Sequence, residues 1–526
     1  MTRSQGAVAR SALRILLACS LSLWFACGCF AGEPLGPGKA IYISGGVGLS
    51  PPVGVVVNGT AVVRAQKAFA CAACHGTQGQ GGGESGLRVP AIDWRTLTLP
   101  RPAGQFGVSR PAYDSEGVLR AVRSGIDASG AALGPAMPRY DLDGGQGASL
   151  TAYLGVLGTA DDSDPGISPD QIKLGTVLPM SGPLAEVGAS IAAALQARFD
   201  EANATGGIYG RQVTLVVEDS GIEPSAVPGK LEKLIEQQGV FAIVSPLLWS
   251  DDPALSELLV AGNVPVVGPI SSPPTEAQAK TSTAWHLQPT FYDQARVLVD
   301  EAYSARTAAF RAALIVKDAA QPRDAAAGAR RQLDALSAPV VEITVDPDQL
   351  TVAGLAERIH DVGVTWVFVF GTTRQFERVA EAIATLPTGA RPELGGLVAL
   401  SPAPHLPPSI AATFAAATTP PNERQWRTLR ASLERMNQPA SRPAFQAIAY
   451  ASACVLVEGI TRAGRLLGRA AVIKELGLLR NFETGVMSAV SFTPNRRVGV
   501  RSSSIVRMYD QGALHVPFGG IRSPVE

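Results

Sequence analysis

Between residues 172 and 183 the chain reads Ile172-Lys173-Leu174-Gly175-Thr176-Val177-Leu178-Pro179-Met180-Ser181-Gly182-Pro183. The first seven residues form a short apolar run, and turn-forming proline and glycine follow it. A run of this length bounded by turn signals predicts a buried β-strand. The strand is expected to open a new domain, because the residues just before it, 161–170, are polar and contain proline and glycine.

Beyond this strand, short apolar segments alternate with helical patterns in two blocks. The first block predicts strands at 212–218, 241–245 and 264–267, helices at 189–204 and 227–238, and a continued alternation at 253–261. The second block predicts strands at 312–317, 340–345, 365–370 and 394–400 and helices at 324–336, 351–361 and 374–385. Such alternation is typical of βαβ units and parallel sheets. Two blocks therefore predict a bilobed α/β fold.

The same region resembles the type I periplasmic binding proteins of the branched-chain amino acid ABC transporter family. The resemblance is carried by residues 172–183 with Gly188, 203–211, 264–272 and 492–499. It implies a two-lobed substrate-binding domain at 171–526 that holds a small molecule. It also implies an ABC permease as a partner.

Six residues are candidates for contacting the ligand. Ser181, Ser271 and Ser272 follow predicted strands, and in open α/β sheets small molecules bind beyond the carboxyl ends of strands. Their hydroxyl and N–H groups suit a carboxylate or another oxygen-rich group, although ordinary turn chemistry also explains serine there. Three other side chains have the size or charge for a pocket, with surface or packing roles as the alternative: Trp249, Tyr292 and Arg374.

The chain departs from the pattern of amino-acid binders at four positions. Aromatic residues are expected at positions that hold Val187, Pro322 and Thr372 here. The acid expected to pair with a ligand ammonium would stand near Ala399, and no acid occurs between 395 and 409. Burying an unpaired ammonium is costly. A simple branched-chain amino acid is therefore a doubtful ligand.

A second motif lies nearer the N-terminus, at Cys71-Ala72-Ala73-Cys74-His75. The spacing C-x-x-C-H is that of a c-type haem attachment site, with two thioether bonds and the histidine as proximal iron ligand. A chance match or a reducible disulfide loop is the alternative. Met137 is the one methionine between the leader and residue 160, and a thioether opposite histidine raises the reduction potential. A gap-filling core role is the alternative for Met137.

Residues 37–158 around this motif resemble a class I cytochrome c. The segments that carry the resemblance are 38–42, 69–83, Pro90 with Ile92, 137–140 and 149–158. It implies a small all-α domain at 33–160 that binds one covalent haem c, with the last helix packed on the first. The run from Gly45 to Gly59 departs from the family and is interpreted as an inserted surface loop.

The first 31 residues predict an export signal, because Arg3, Arg10 and Arg14 precede an apolar run that ends at Ala31. Lipidation at Cys27 or Cys29 is the main alternative, and an uncleaved anchor is a weaker one. A periplasmic location, with a lipid-anchored form as an option, also agrees with the haem motif. Cys454 lies alone in an apolar helical pattern, so no structural disulfide is expected.

Composition excludes several classes of function. Across 526 residues the formal net charge is zero, and no basic cluster with interleaved aromatics points to nucleic acid. His286, His360 and His405 are scattered without metal-ligand spacing, and no catalytic motif is present, so no enzyme is expected.

Three functions remain. The first is an exported c-type cytochrome whose one-electron transfer is coupled to small-molecule binding in a periplasmic oxidation pathway, with a periplasmic dehydrogenase or oxidase as redox partner. The alternative is the substrate-binding component of a branched-chain-amino-acid-type ABC transporter with an accessory haem domain. The third is an interaction scaffold with a vestigial cleft. In each case the order is a signal at 1–31, the haem domain, a linker at 161–170 and the receptor domain.

Overall fold

The computed structural model describes two compact units, Met1–Asp162 and Ser163–Glu526. The boundary falls within the segment predicted as a linker. The residues described are 35–46, 49–57, 59–62, 67–84, 87–102, 109–159, 162–248, 263–306, 309–344, 346–417, 421–465, 467–509, 513–515 and 521–524. The predicted export signal lies outside them.

The first unit contains both helices and strands. Its helices are α1 Leu35–Ser44, α2 Cys71–His75, α3 Trp94–Leu97, α4 Ser115–Ser124 and α5 Gly144–Val156. Its strands are β1 Gly54–Val57, β2 Thr60–Val62, β3 Gly82–Glu84, β4 Leu87–Val89 and β5 Arg139–Asp141. They form an antiparallel sheet in the order β2-β1-β5 and a hairpin of β3 with β4. The expectation of an all-α unit is therefore wrong for the residues described.

The predicted surface loop between Gly45 and Gly59 also needs correction. Val53 and Val55 are buried, and β1 pairs with both β2 and β5. β-Branched valines at alternate positions suit a pleated, half-buried strand. The many glycines of the segment obscure this alternation in the sequence. Because its valines are buried and paired, this strand belongs to the core of the unit.

The packing of α5 on α1 depends on a glycine. A Cβ atom at Gly38 would overlap the carbonyl oxygen of Ser149 and lie 2.9 Å from Cβ of Tyr153. The rings of Tyr42 and Tyr153 pack beside this crossing with centroids 5.6 Å apart. The first and last helices of the unit thus form one hydrophobic core.

The second unit contains the remaining elements. Its strands are β6 Gln171–Leu178, β7 Gln212–Asp219, β8 Ala242–Val244, β9 Val266–Val267, β10 Ala284–Trp285, β11 Ala312–Val316, β12 Val340–Glu342, β13 Trp366–Phe370, β14 Glu393–Leu397, β15 Ala412–Ala416, β16 Ser503–Tyr509, β17 Ala513–His515 and β18 Ile521–Arg522. Its helices are α6 Ala185–Ala204, α7 Val227–Glu232, α8 Glu276–Thr281, α9 Phe291–Ser304, α10 Ala320–Ala335, α11 Val352–Asp361, α12 Thr373–Thr385, α13 Glu423–Arg435, α14 Pro443–Ala463 and α15 Arg469–Gly477.

The first lobe is a parallel sheet in the order β10-β9-β8-β6-β7. Helix α14 is its central helix, with nearly every side chain from Gln446 to Ile460 buried. Among the described helices α14 alone is long and apolar enough to cross a membrane, and 78% of its apolar window is buried in the unit. Burial of this kind is that of a core helix.

The second lobe is a mixed sheet in the order β12-β11-β13-β14-β15-β16-β17, with β18 also paired to β16. Strands β11 to β15 run parallel, and β16 runs antiparallel to β15. Helices α9 and α10 can approach closely because Gly328 has no side chain. A Cβ atom there would overlap the carbonyl of Tyr292. The two lobes confirm the predicted bilobed α/β architecture.

The chain passes between the lobes three times: after β10, between β15 and α13, and between α15 and β16. A hydrogen bond of 3.0 Å from the N–H of Glu276 in α8 to Asp324 in α10 joins the lobes beside the first passage. Asp324 lies in the first turns of α10, which follows the carboxyl end of β11. The segments that follow the carboxyl ends of β9 and β11 therefore lie side by side, and the space between these two sheet edges is termed the cleft.

Candidate functional site

The first-lobe edge of the cleft is organised by Asp219 at the end of β7. Its carboxylate accepts the N–H of Met180 at 2.9 Å and that of Gly221 at 2.7 Å. These bonds, with one from the Ser181 hydroxyl, hold the pKa of Asp219 below its ordinary value. Ser181 is thus engaged in fixing the loop, and this favours the turn-chemistry explanation for it.

The described residues that directly follow β8 and the loop after β9 form the rest of that edge. Ser271 donates its hydroxyl to the carbonyl of Ser272 at 3.0 Å, and Ser272 is exposed. Both lie where the sequence placed a ligand contact. Trp249 lies outside the described residues.

Ser245 is a residue that sequence reasoning missed. It directly follows β8 with a φ of 42°, and its buried hydroxyl has no hydrogen-bond partner among the described residues. Non-glycine residues held at positive φ are uncommon and concentrate at functional sites. The sequence shows a Ser-Pro step directly after an apolar strand, but it does not show the positive φ of the serine.

The second-lobe edge carries two cations. Arg374, at the second position of α12, is 77% exposed and pairs with Asp348 at 3.2 Å. Lys317 directly follows β11, is exposed, and forms no ion pair in the part of the chain that the structure describes. Hydrogen bonds from Asp348 and Gln375 hold the pKa of Asp346 below its ordinary value, with Lys317 adding to the effect. The sequence analysis names Arg374 as a candidate and does not name Lys317.

Tyr292 lies at the base of the cleft, in the first turn of α9. Its N–H donates to Asp324 at 3.0 Å, while its half-buried phenol makes no hydrogen bond within the described residues. Burial is the main reason that the pKa of Asp324 is raised. The phenol is therefore a group that a ligand can reach with a hydrogen bond.

A buried ion network holds the same region. Asp293 is 1% exposed and pairs with Arg496 and, at 3.2 Å, with Arg501. Arg496 also pairs with Glu276 at 3.2 Å. The network spans α8 of the first lobe, α9 of the second and the third crossing segment. It ties the lobes at the hinge side of the cleft.

The four positions that depart from amino-acid binders offer no charge to a ligand. Val187 and Pro322 are buried within α6 and α10. Thr372 caps α12 through its side chain, which accepts the N–H of Gln375. Ala399 is exposed in the turn after β14.

In the first unit, the C-x-x-C-H residues form α2. Cys71 is half-buried, Cys74 is exposed, and both thiols are free. His75 donates from Nδ1 to the carbonyl of Pro90 at 2.8 Å, and Nε2 has no hydrogen bond among the described residues. Such a bond fixes the tautomer and leaves Nε2 as a metal donor.

A glycine loop brings Pro90 beneath the histidine. Gly81 donates its N–H to the carbonyl of His75 at 2.8 Å, and Ile92 donates to Gly79 at 2.7 Å. Gly81 has a φ of 71°, and a Cβ atom there would lie 2.6 Å from the carbonyl oxygen of Val89. Only glycine fits this turn, so the sequence fixes the carbonyl that orients the imidazole.

Met137 packs against the same hydrophobic core as Cys71 and Ala72. Tyr140, three residues after Met137, donates its hydroxyl to the carbonyl of Phe69, two residues before Cys71. The methionine segment and the cysteine motif are thereby tied together. Within the described ranges no three His, Cys, Asp or Glu side chains converge to hold a metal ion by themselves.

Comparisons with known proteins address the second unit. The family model described as periplasmic binding protein matches residues 171–513. A chemotactic signal transduction system substrate-binding protein from Halobacterium salinarum is 33% identical over 113 residues, or 21% of this chain and 27% of its own. A Leu/Ile/Val-binding protein from Rhizobium johnstonii is 29% identical over 103 residues, or 20% of this chain and 28% of its own. The matches thus span about a quarter of each relative.

A solved structure supports the fold. A protein from Rhodospirillum rubrum, provisionally named a branched-chain amino acid ABC transporter, superposes with a TM-score of 0.50 at 18% identity, over 66% of this chain and 99% of its own. An identity this low shows the fold alone. Because the family model spans more than half of the sequence, the chain belongs to the periplasmic binding protein family, and its second unit is a type I, bilobed α/β receptor domain.

Proposed function

We propose that the chain is an exported solute receptor of the kind that serves ABC transporters, with its ligand held between the two lobes of the second unit. The family match over 171–513 carries this proposal, because members of the family are solute-binding proteins at a periplasmic or exported location. The comparisons favour this function, the alternative in the sequence analysis, over electron transfer coupled to ligand binding. An ABC permease is the expected partner.

The proposed ligand is an organic acid without an ammonium group. Lys317 and Arg374 place positive charge at the second-lobe edge. Of these two, Arg374 alone forms an ion pair within the described residues, while Asp346 lies near Lys317. The hydroxyl of Ser272 suits a carboxylate, and so does that of Ser271 once it leaves the carbonyl of Ser272, since charge-assisted hydrogen bonds are stronger than neutral ones. An α-amino group would find no acid near Ala399 and would be desolvated without compensation.

Closure of the lobes would bury the acid between these edges. In the closed state Ser271 and Ser272 would donate from the first lobe and Lys317 from the second. Hinge closure around a ligand is the usual response of such two-lobed folds. The ion network at Asp293 supports the hinge and keeps the two edges in register.

Matched ligand pairs test the proposed class. Thermal unfolding of the full chain is followed with leucine against 4-methyl-2-oxopentanoate and with phenylalanine against phenylpyruvate. We expect a saturable shift for the ammonium-free member of at least one pair and none for its amino acid. Shifts produced by the amino acids and not by the oxo acids would contradict the proposed ligand.

A lysine variant tests the proposed contact. Lys317→Met should weaken binding of the responding oxo acid by about tenfold to a hundredfold, because a charge-assisted hydrogen bond contributes about 1.5–3 kcal/mol. Arg323→Met is the control, since Arg323 is exposed and paired with Asp318 on the same lobe. Equal affinities in the two variants would remove Lys317 from the site.

We further propose that the first unit holds one covalent haem c, with Cys71 and Cys74 as thioether donors and His75 and Met137 as iron ligands. The bond from His75 Nδ1 to Pro90 carries this second function, because it directs Nε2 toward a metal. When bound, the haem supplies one-electron redox chemistry. His75 orients its imidazole through Pro90, and Met137 offers a thioether that favours the ferrous state. A periplasmic dehydrogenase or oxidase is the proposed redox partner.

Mass spectrometry of denatured protein matured in the periplasm tests the haem proposal. We expect one added haem, retained in a Cys454→Ala control and lost when Cys71 and Cys74 are both replaced by alanine. Met137→Ala should keep the haem but lower its reduction potential, whereas Met180→Ala in the second unit should not. Apoprotein alone, under conditions that mature other c-type cytochromes, would reject the proposal.

A further inference from the structure

The first lobe contains a cavity of about 730 Å³ between the end of α6, the turn that follows it, α13 and α14. Its volume lies within the range of small-molecule sites, which is roughly 300–1,000 Å³. The residues that shape it include Arg198, Glu201, Ile208, Tyr209, Arg435 and Met436. None belongs to the loops after β6, β8 or β9, so the cavity is separate from the cleft.

The charged side chains that line this cavity, Arg198, Glu201 and Arg435, carry a net charge of one positive unit. Glu201 is fully engaged, since Oε1 accepts from Arg435 at 3.2 Å and Oε2 accepts the hydroxyl of Tyr450 at 2.6 Å. Arg198 is half-buried and forms no ion pair with the described carboxylates. A half-buried guanidinium without a counter-ion favours an anionic ligand.

The guanidinium of Arg198 contacts the thiol of Cys454. Burial raises the pKa of the Cys454 thiol to about 11, although Arg198 opposes that shift. The thiol is therefore protonated near neutral pH and supplies no negative charge. The cation at Arg198 stays uncompensated.

The remaining walls are largely apolar. Ile208, Met436 and Val457 line them together with the ring of Tyr209. Tyr209 has a φ of 53°, is 43% exposed, and donates its hydroxyl to the carbonyl of Thr461 at 2.7 Å. Left-handed backbone costs an L-residue about 1–2 kcal/mol. The ring is thus held at the cavity at some conformational cost.

We propose that this cavity is a second small-molecule site, which takes a small carboxylate with an apolar body. The carboxylate pairs with the guanidinium of Arg198, whose planar fork matches it in two parallel hydrogen bonds. The body lies against Ile208, Met436 and the ring of Tyr209. The inference does not depend on what the cleft binds.

Fluorine NMR of the full chain with 4-fluorobenzoate as probe tests the site. We expect saturable binding to the wild type and a loss of about tenfold or more in affinity at one site in Arg198→Met, which keeps the aliphatic stem. Arg430→Met is the matched control, because Arg430 lies on α13 outside the cavity and pairs with Glu434 at 2.7 Å. The control should bind as the wild type does.

The same titration can overturn the proposal. An isotherm that is unchanged in Arg198→Met, or an absence of saturable binding to the wild type at millimolar probe, would do so. Should Arg198→Met fail to fold, Met436→Trp fills the cavity without removing charge and must lower the number of bound probes by one per chain. An unchanged stoichiometry in that variant would equally remove the site.

Discussion

Gly38 sets how closely α1 and α5 approach, and a methyl group at this position has no room. Gly38→Ala should destabilise the first unit by about 1–3 kcal/mol, the usual range for overpacking. Gly36→Ala in the same helix is the control, because a Cβ atom there meets nothing within 4 Å. It should be neutral or stabilising by up to about 1 kcal/mol, since alanine is the better helix former. Thermal unfolding compares the two variants, and equal midpoints would contradict the close crossing.

Buried His286 should make the stability of the second unit depend on pH. Burial lowers the pKa of His286 to about 4 from an ordinary value of 6.5. The unfolded chain therefore binds the proton more readily, and the stability that neutral His286 allows is complete above pH 6.5 and is lost as the pH falls toward 4. The difference corresponds to about 3 kcal/mol.

Urea unfolding at pH 7 and pH 4.5 measures this effect. His286→Gln should flatten the loss of stability on acidification, while a variant of the exposed His360, His360→Gln, should retain the wild-type loss. Parallel pH profiles for the wild type and His286→Gln would show that another group is responsible.

Some of the candidate site residues can be recognised from the sequence, and others cannot. The motif at 71–75 and the loop serines at 271 and 272 stand out by spacing or by position after a strand. Lys317 does not, because its place in the proposed site depends on how the carboxyl edge of the second sheet meets the first lobe. Ser245 is a candidate because of its positive φ and its buried hydroxyl, and neither can be predicted from the residue type.

The hinge elements α8, α9 and the third crossing segment are held by charges rather than by apolar packing alone. Removing one partner of a buried ion pair costs about 3–5 kcal/mol, because the other charge stays buried without compensation. Asp293→Ala should therefore lower stability by that amount. Asp318→Ala is the control, since Asp318 is 82% exposed and its pair with Arg323 contributes at most about 1 kcal/mol.

Unfolding in denaturant compares the two aspartate variants. We expect Asp293→Ala to lose several times as much stability as Asp318→Ala. Similar losses would mean that water already screens the network and that it does not hold the hinge.

At the level of helices and strands, the alternation in 171–400 predicts nearly every described strand of the two parallel blocks, because buried strands are short apolar runs between turn signals. Helix boundaries shift by a few residues, as with α6, which begins at Ala185 and not at 189. Long-range pairing is not encoded locally. Strand β16 returns antiparallel to β15 from nearly ninety residues further along, and β1 pairs with β5 across the first unit.

The two units present different chemistry in one chain. The second carries the receptor fold, and the site proposed at its cleft combines Lys317, Arg374 and serine hydroxyls, with no acid between 395 and 409 to pair with an ammonium group. A ligand that binds only the folded chain stabilises it by about 2.7 kcal/mol at a hundredfold excess over its Kd. The responding oxo acid should therefore raise the unfolding midpoint in proportion to the logarithm of its concentration.

That concentration dependence is checked by repeating the unfolding at three ligand levels. A midpoint shift that does not grow with concentration would indicate a solvent effect and no specific site.

Calorimetric titration of the full chain with leucine is the sharpest test of the proposed ligand class, because leucine carries an ammonium group that finds no acid near Ala399. We predict no saturable heat with leucine and a saturable isotherm with an ammonium-free acid of the panel. A saturable leucine isotherm with one site per chain would contradict the account.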